Sequence, residues 1–274
     1  MNTQLAMMLC ELAQDYIKLS PAPIEIQEAL PHAIEQVEHI AKSTSFGTHA
    51  EYFKVSKNRY AHYLVLATQL LPANSRILDV GNAPGHFAHL LTKCGHRVTG
   101  VNLNEEWRKT YPDPSWIADF DVRECDIERD DLPFPDASFD AVLFTEVLEH
   151  IAITDPVLIL RKLRRVLNAK GVVIFSTPNV CNLSNIIALT LGKNIFWPEN
   201  IFYGSLDRHN REWTPAEAQQ VFVRAGFRTK HLYGMSDHSN WRLGAAESVY
   251  QLLGTLPDDK ALLLNTIVGA FTVE

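Results

Sequence analysis

The residues best suited to chemistry in this chain are two glutamates and a histidine in the run Glu146-Val-Leu-Glu149-His150. If Glu146 begins a helical turn, Glu149 and His150 follow at i+3 and i+4, so the three side chains project from one face. A further histidine, His209, lies in the distant run 208–214. Carboxylate oxygens and a neutral imidazole suit a hard or borderline divalent cation, and an imidazole also suits general-base chemistry.

Three interpretations of this group stay open on the residues alone. Glu146 and Glu149 could be solvated residues at a helix start, stabilised by the helix dipole, with His150 bonded to backbone. His150 or His209 could be a general base that works without metal. The third interpretation is a metal site, because two carboxylates this close repel each other unless a cation or a proton lies between them. Its candidate ligands are Glu146, Glu149, His150 and His209.

A glycine turn after an apolar run is the second informative feature, in Arg76-Ile-Leu-Asp-Val-Gly-Asn-Ala-Pro-Gly85. The apolar residues predict a buried strand with Asp79 near its carboxyl end, and Gly81 and Gly85 permit backbone to approach a ligand closely. A helical pattern follows, as in α/β sheets that hold a nucleoside-type cofactor. The Gly-x-Gly-x-x-Gly spacing of nicotinamide-dependent dehydrogenases is absent, which argues against that class.

Further strands and helices alternate along the chain. Apolar runs predict strands at 98–102, up to 127, at 139–144 and at 171–178, and a helix carrying Val157, Leu160, Leu163 and Leu167 precedes the last of these. A helix is predicted to start at the capping box Thr214-Pro-Ala-Glu217 and to end near 225–226. Strand six is then predicted to begin at Phe227, and residues 265–273 are predicted to form a last strand. This alternation predicts an α/β fold with a mostly parallel, Rossmann-like sheet.

These strand ends, together with Leu132-Pro-Phe-Pro-Asp-Ala-Ser-Phe-Asp140, resemble class I S-adenosylmethionine-dependent methyltransferases over about residues 55 to 274. The resemblance implies a seven-stranded sheet closed by an antiparallel hairpin, and S-adenosylmethionine as cofactor. It implies that the methionine part of the cofactor binds at Asp79, Gly81, Asn82, Ala83 and Gly85. It places the ribose at Asn102 and Leu103, the adenine at Asp126 and Ile127, and the sulfonium at Thr145. Ala83 replaces a common glycine and Asn102 a common acid, although an amide still hydrogen-bonds ribose hydroxyls.

The Glu-x-x-Glu-His run is also similar to the metal-binding element of ubiquinone-pathway O-methyltransferases and small-RNA 2′-O-methyltransferases. In the latter a further ligand is a histidine before a Glu-Trp-Thr-like run, which His209 matches. Residues 60–71 and 209–214 have a looser likeness to methyltransferases of polysaccharide pathways. The resemblance therefore implies O-methylation of a small-molecule or glycan-type hydroxyl, with Glu149, His150 and His209 as candidates for catalysis and a divalent cation such as Mg²⁺ as a second cofactor. N-methylation, and a non-catalytic S-adenosylmethionine- or S-adenosylhomocysteine-binding protein, are the alternatives.

Composition narrows the classes of partner and compartment. With 274 residues, a net charge of −7 and no dense Lys/Arg run, the chain is not expected to bind nucleic acid. No apolar run approaches eighteen residues and the N-terminus lacks a signal-peptide pattern, so we expect a cytoplasmic protein without a membrane span. The four cysteines have no close paired spacing, which predicts reduced packing residues rather than a zinc cluster.

The expected organisation is a helical cap or lid at 1–70 and a Rossmann-like domain at 71–274, with an acceptor-side insertion at about 180–212. Helical patterns in the cap cover 5–19, 24–40 and 49–71, and its first two helices are alternatively expected to pair with a second copy in a homodimer. An irregular loop is predicted at 195–203. Its aromatic residues, Phe196, Trp197, Phe202 and Tyr203, are expected either to pack within the loop or to form a wall for the acceptor.

Overall fold

The computed structural model describes residues 22–43, 50–103, 120–203, 208–236 and 264–273. The helices in these ranges are α1 (Ile24–Lys42), α2 (Ala50–Leu70), α3 (His86–Lys93), α4 (Pro156–Val166), α5 (Leu183–Thr190), α6 (Glu199–Phe202) and α7 (Pro215–Arg224), with a 3-10 helix at Leu148–His150. The strands are β1 (Arg76–Val80), β2 (Arg97–Asn102), β3 (Asp121–Glu124), β4 (Phe139–Thr145), β5 (Leu167–Pro178), β6 (Phe227–Met235) and β7 (Thr266–Val273).

The strands form one seven-stranded sheet in the order β3-β2-β1-β4-β5-β7-β6. Strands β1 to β5 pair in parallel, while β7 is antiparallel to both β5 and β6. The predicted fold class is confirmed, including the antiparallel pair that closes the sheet. Strand order reverses between β1 and β4, and in open α/β sheets a crevice for ligands opens at the carboxyl ends of the strands on either side of such a point.

Alternate residues of the central strands pack into two separate cores, one on each face of the sheet. Ile77 of β1 belongs to the core formed with α1, α2 and α3, whereas its neighbours Leu78 and Val80 belong to the core formed with α4 and α7. This two-residue period is the one expected of a strand that is covered on both faces. Burial on both faces therefore holds the carboxyl ends of β1 and β4 in fixed positions.

Helices α1 and α2 cover the first of these cores. Helix α1 buries Ile26, Ala33, Val37 and Ile40, which recur at helical spacing, as the sequence pattern predicts. Helix α2 packs against β5. The buried hydroxyl of Tyr63 lies 2.5 Å from Ser176 Oγ on β5 and holds the helix there.

Helix α7 begins with the predicted capping box. Thr214 Oγ1 accepts from the Glu217 backbone N–H at 3.2 Å, and the Glu217 carboxylate accepts from the Thr214 N–H at 3.0 Å. Both donors would otherwise lack partners at the helix start, so the motif fixes where α7 begins.

Other predictions need correction or lie outside the described residues. The predicted irregular loop at 195–203 contains the short helix α6, which starts directly after Pro198. Leu167, assigned to a helix from its spacing, is the first residue of β5 and pairs with Phe139. The predicted helix at 5–19 and Cys10 fall outside the described ranges, within which Cys94, Cys125 and Cys181 are free thiols. No helix in those ranges is long and apolar enough to cross a membrane.

Candidate active site

The turn after β1 brings backbone to the carboxyl edge of the sheet. Gly81 and Gly85 have φ angles of +70° and +87°, a region that disfavours residues with a Cβ. A Cβ on Gly81 would also lie 2.8 Å from Val147 Cγ2. Helix α3 starts immediately after Gly85, so the positive end of its dipole faces the turn. This is the local geometry that the glycine spacing predicts.

Asp79 is almost fully buried, with 4% of its surface exposed, beside this turn. Burial raises the pKa of its carboxyl to about 8, because a low-dielectric environment disfavours the charged form. A buried carboxyl of this kind releases its proton readily when a cationic group binds next to it. The position therefore suits an ammonium group.

Asn102, at the end of β2, is buried and held by a second amide. Its Nδ2 donates to Asn82 Oδ1 at 2.6 Å, while its Oδ1 accepts a longer bond of 3.4 Å from the Ala83 N–H. The orientation of Asn102 is thus set from the glycine turn. An amide oxygen in this place is a fixed acceptor for a hydroxyl donor.

These residues line a cavity of about 430 Å³. That volume lies within the usual range for small-molecule sites, roughly 300–1,000 Å³. All ten residues predicted to bind the cofactor are in its lining: Asp79, Gly81, Asn82, Ala83, Gly85, Asn102, Leu103, Asp126, Ile127 and Thr145. The sheet therefore gathers them around one space, whereas their contact with a cofactor stays a prediction.

Glu146 does not belong to the predicted helical face. Its φ angle of +56° breaks the helical path, and the 3-10 helix begins only at Leu148. Its carboxylate instead pairs with Arg59 at 2.7 Å and accepts from Ser176 Oγ at 2.6 Å. Glu146 was therefore wrongly grouped with Glu149 and His150, because the backbone reverses its hand directly after β4.

Glu149, His150 and His209 do come together. One candidate ligand atom of each lies within 4.8 Å of those of the other two, and the rings of His150 and His209 meet edge to face with centroids 5.1 Å apart. Glu149 Oε1 is 3.8 Å from His150 Nε2. The structure thus brings the sequence-distant His209 to the cluster, as the resemblance predicts, while Glu146 stays outside it.

Residues 208–213 reach the cluster because they are bonded to the 3-10 helix. The N–H of Asn210 donates to the Glu149 carbonyl at 2.8 Å, and its side-chain amide donates to the His150 carbonyl at 2.7 Å. Trp213 Nε1 donates to the Leu148 carbonyl at 3.4 Å. Residues 208–213, the strap, thus supply donors to all three carbonyls of the short helix, whose carbonyls find few partners within the helix itself.

Hydrogen bonds at Nδ1 indicate the tautomer of both imidazoles. His150 Nδ1 lies 3.0 Å from the Arg208 carbonyl oxygen, which can only accept, so Nδ1 carries the hydrogen. His209 Nδ1 lies 3.1 Å from the Glu212 carboxylate, which calls for the same tautomer. In neutral imidazoles with this tautomer, Nε2 bears the lone pair.

Glu149 is the most deeply buried member, with 1% of its surface exposed. Its Oε2 accepts from Thr177 Oγ1 at 2.8 Å, but Oε1, within the described part of the chain, has no hydrogen-bond partner. Burial first, and then repulsion from Glu146, raise the pKa of this carboxyl well above its usual range, while His209 opposes the shift. An acceptor atom that lacks a donor, next to two imidazoles whose Nε2 atoms bear lone pairs, suits a proton or a cation.

Residues 78–175 match the family described as a methyltransferase domain, a stretch that runs from β1 to β5 and includes Glu149 and His150. The seven-stranded sheet has the fold of class I methyltransferases. A SAM-dependent methyltransferase from Archaeoglobus fulgidus has the same fold, with a TM-score of 0.56 and 18% identity over 81% of this chain and 99% of that one.

Two curated relatives share part of this sequence. A probable S-adenosylmethionine-dependent methyltransferase of Mycolicibacterium smegmatis is 29% identical over 167 residues, which are 60% of this chain and 56% of that protein. A ubiquinone biosynthesis O-methyltransferase of Xanthomonas axonopodis pv. citri is 33% identical over 115 residues, 42% of this chain and 47% of that protein. The chain spans about half the length of these relatives.

Sequence reasoning missed one wall of this cavity. Tyr52, Arg59, Tyr60 and Tyr63 of α2 line it, opposite the strand ends. Tyr52, Arg59 and Tyr63 are spaced by seven and four residues, a helical face whose aromatic and charged character could have marked it. Tyr63 is buried, which raises the pKa of its phenol well above the usual value, so it remains a hydrogen-bond donor.

Glu128 also lines the cavity, and sequence reasoning did not single it out. Its carboxylate accepts from the backbone N–H groups of Ala152, Ile153 and Thr154, the nearest at 2.6 Å. Three donors on one carboxylate hold the loop that follows His150 in a single conformation. Glu128 thus supports the edge of the cavity nearest the cluster.

Proposed function

We propose that this chain is an S-adenosylmethionine-dependent O-methyltransferase that acts on a hydroxyl of a small molecule or a glycan. One observation carries the proposal: a single cavity is lined both by the ten expected cofactor residues and by His150 of the Glu149–His150–His209 cluster. The methyl donor and a group able to handle the acceptor proton would therefore share one space. The ubiquinone-pathway relative is an O-methyltransferase, which supports the same chemistry.

The residues of the cavity fit the cofactor in kind and in position. Asp79 would face the ammonium group of the methionine part of the cofactor, and the turn from Gly81 to Gly85 would leave room for that part close to the protein backbone. Asn102 Oδ1 would accept from a ribose hydroxyl. Asp126 and Ile127 would lie at the adenine. When bound, S-adenosylmethionine supplies a methyl carbon made electrophilic by a cationic sulfur.

The chain itself would align the acceptor, exclude water and take up a proton. Alignment of two reactants in one cavity is worth several powers of ten in rate. His150 reaches the cavity with 32% of its side chain exposed, and its neutral form with hydrogen on Nδ1 would offer the Nε2 lone pair as a base for a hydroxyl. The tyrosines of α2 would close the opposite side and keep water out.

A divalent cation is the finer part of the proposal. Glu149, His150 and His209 offer one carboxylate and two imidazoles whose candidate ligand atoms lie within 4.8 Å of one another, and these are ligand types that such cations bind. Glu146, the fourth expected ligand, does not fit because Arg59 and Ser176 hold it. A cation held by the three would lower the pKa of a bound hydroxyl, so that the same acceptor chemistry results with or without it.

The test has two separable stages. Isothermal titration with S-adenosylhomocysteine asks whether the folded protein binds the cofactor product, and a dissociation constant in the micromolar range is expected. Transfer of a labelled methyl group is then measured over catechols, vicinal-diol glycans and amines, with Mn²⁺ or with a chelator. Label on oxygen supports the proposal. Absence of binding overturns it, and binding without transfer to any acceptor identifies a non-catalytic cofactor-binding protein instead.

A further inference from the structure

His209, the one histidine of the cluster that lies outside the family match, is held by a carboxylate of its own. His209 Nδ1 donates to Glu212 Oε1 at 3.1 Å, and both side chains are largely buried, with 17% and 10% exposed. A carboxylate cannot donate, so this contact selects the tautomer with hydrogen on Nδ1. His209 lies on the strap 208–213, which is bonded to the 3-10 helix but supplies no other ring to the cluster.

Glu212 is itself held from the opposite side. Asn185 Nδ2 donates to Glu212 Oε2 at 3.4 Å and to the Val180 carbonyl at 3.1 Å, and the Asn185 N–H donates to Asn182 Oδ1 at 2.9 Å. Asn185 is buried, with 1% exposed. The bond to the Val180 carbonyl fixes which end of the Asn185 amide faces Glu212, so a donor always meets the second carboxylate oxygen.

We propose that Glu212 is a positioning residue that holds His209 in the Nδ1–H tautomer and thereby keeps its Nε2 lone pair available to the Glu149–His150–His209 cluster. This inference rests on the proposed function for its consequence, since a lone pair at Nε2 serves a cation or an acceptor proton. The tautomer itself rests only on the chain Asn185 to Glu212 to His209. Carboxylates that orient ligand histidines in this way tune metal affinity by roughly 10–100-fold.

Glu212→Gln separates this function from simple packing. The variant keeps the shape of the side chain, but Asn185 presents a donor, so the glutamine oxygen turns to Asn185 and its NH₂ turns to His209. An NH₂ group must meet an unprotonated nitrogen, and the hydrogen of His209 therefore moves to Nε2. Glu212→Asp keeps an acceptor and the original tautomer. Glu35→Gln, on the exposed face of α1, is the matched control for loss of one charge.

The tautomer is read by long-range ¹H–¹⁵N correlation spectra of the full chain labelled at its eleven histidines, with His209 assigned from the His209→Asn variant. The wild type, Glu212→Asp and Glu35→Gln should show Nδ1–H, and Glu212→Gln should show Nε2–H. Nε2–H in the wild type, or an unchanged tautomer in Glu212→Gln, would overturn the inference. The wild-type spectrum decides the matter even if a variant fails to fold.

Titration with Mn²⁺ alone keeps the two proposals apart. If the wild type binds Mn²⁺, Glu212→Gln should bind it roughly 10–100-fold more weakly, and an equal affinity would count against Glu212 as a positioning residue. If the wild type binds no Mn²⁺, the cation part of the proposed function is lost, while the histidine spectra still test the tautomer.

Discussion

The side-chain amide of Asn102 donates from Nδ2 to Oδ1 of Asn82 over 2.6 Å, in the wall of the cavity. Because Nδ2 donates inside the protein, we expect Oδ1 to be the atom of Asn102 that accepts from a ribose hydroxyl. The amide pair also explains Gly100: a Cβ there would lie 2.0 Å from Asn82 Nδ2. Three residues from two segments therefore define one acceptor atom.

Gly100→Ala is expected to weaken S-adenosylhomocysteine binding by at least roughly tenfold, because Asn82 must move and Asn102 loses its partner. Titration calorimetry measures the affinity, and Asn82→Ala in the same background should add little, since the two changes remove one interaction. Gly95→Ala is the control. Its Cβ would meet nothing within 4 Å, so its strained φ of +87° should lower stability and leave the affinity unchanged.

The buried carboxyl of Asp79 should make the free protein less stable as pH rises. Its folded pKa of about 8 is above the unfolded value near 3.8, so the folded state keeps a proton that the unfolded state releases. The stability present below pH 4 is therefore lost progressively up to pH 8, by on the order of a few kcal/mol. Thermal unfolding at pH 5, 6.5 and 8 should show that the stability of Asp79→Asn rises relative to that of the wild type at each step in pH.

Asp140 offers a control of the opposite sign. Its pKa is lowered, chiefly by hydrogen bonding from Arg76, so Asp140→Asn should lose stability above the acid range rather than gain it. If the difference in stability between Asp79→Asn and the wild type stays constant from pH 5 to 8, that result would contradict the assigned pKa of Asp79.

Binding of S-adenosylhomocysteine should tighten with pH for the same reason. Its ammonium group favours ionised Asp79, which is scarce below pH 8, so the dissociation constant should fall by up to roughly tenfold per unit from pH 6 to 7.5. Calorimetry in two buffers of different ionisation enthalpy should count close to one proton released. Asp79→Asn should bind weakly with a flat pH profile; a profile parallel to that of the wild type would remove Asp79 from this function.

Local patterns were sufficient to predict the frame of the site. Strand β1, its glycine turn and the capping box of α7 are encoded within a few residues each, as a run of apolar residues or a fixed pair of polar ones. The resemblance placed the ten expected cofactor positions at strand ends, and parallel strands bring those ends to one edge. Their gathering required only the correct strand order.

What escaped prediction depends on contacts between distant segments. The positive φ of Glu146 follows its bonds to Arg59 and Ser176, which lie 87 and 30 positions away in the sequence. Periodicity describes one element at a time, so it assigned Glu146 to a helical face. Likewise, the spacing of His209 and Glu212 shows that they can meet, but the tautomer depends on Asn185, which another segment supplies.

Glu149→Ala should reduce turnover by at least roughly 100-fold and leave S-adenosylhomocysteine affinity within about twofold. Glu149 is absent from the lining around the expected cofactor positions, yet it is the carboxylate between the two imidazoles. Initial rates and calorimetry on the same preparation separate the two effects, with Glu35→Gln as control. Unchanged turnover would eliminate both the cation and the proton as functions of the cluster.

The ion pair between Arg59 and Glu146 should stabilise the α2 wall of the cavity. Only 11% and 19% of these side chains are exposed, so Arg59→Met leaves a poorly solvated carboxylate, at a cost approaching the roughly 3–5 kcal/mol of a broken buried pair. Glu146→Gln in that background removes the orphaned charge and should recover much of the loss, which urea unfolding of the four proteins measures as a coupling energy. The exposed pair Lys54–Glu51 on the same helix should show almost no coupling. Additive losses at Arg59 and Glu146 would mean that α2 is held mainly by its apolar face and by Tyr63.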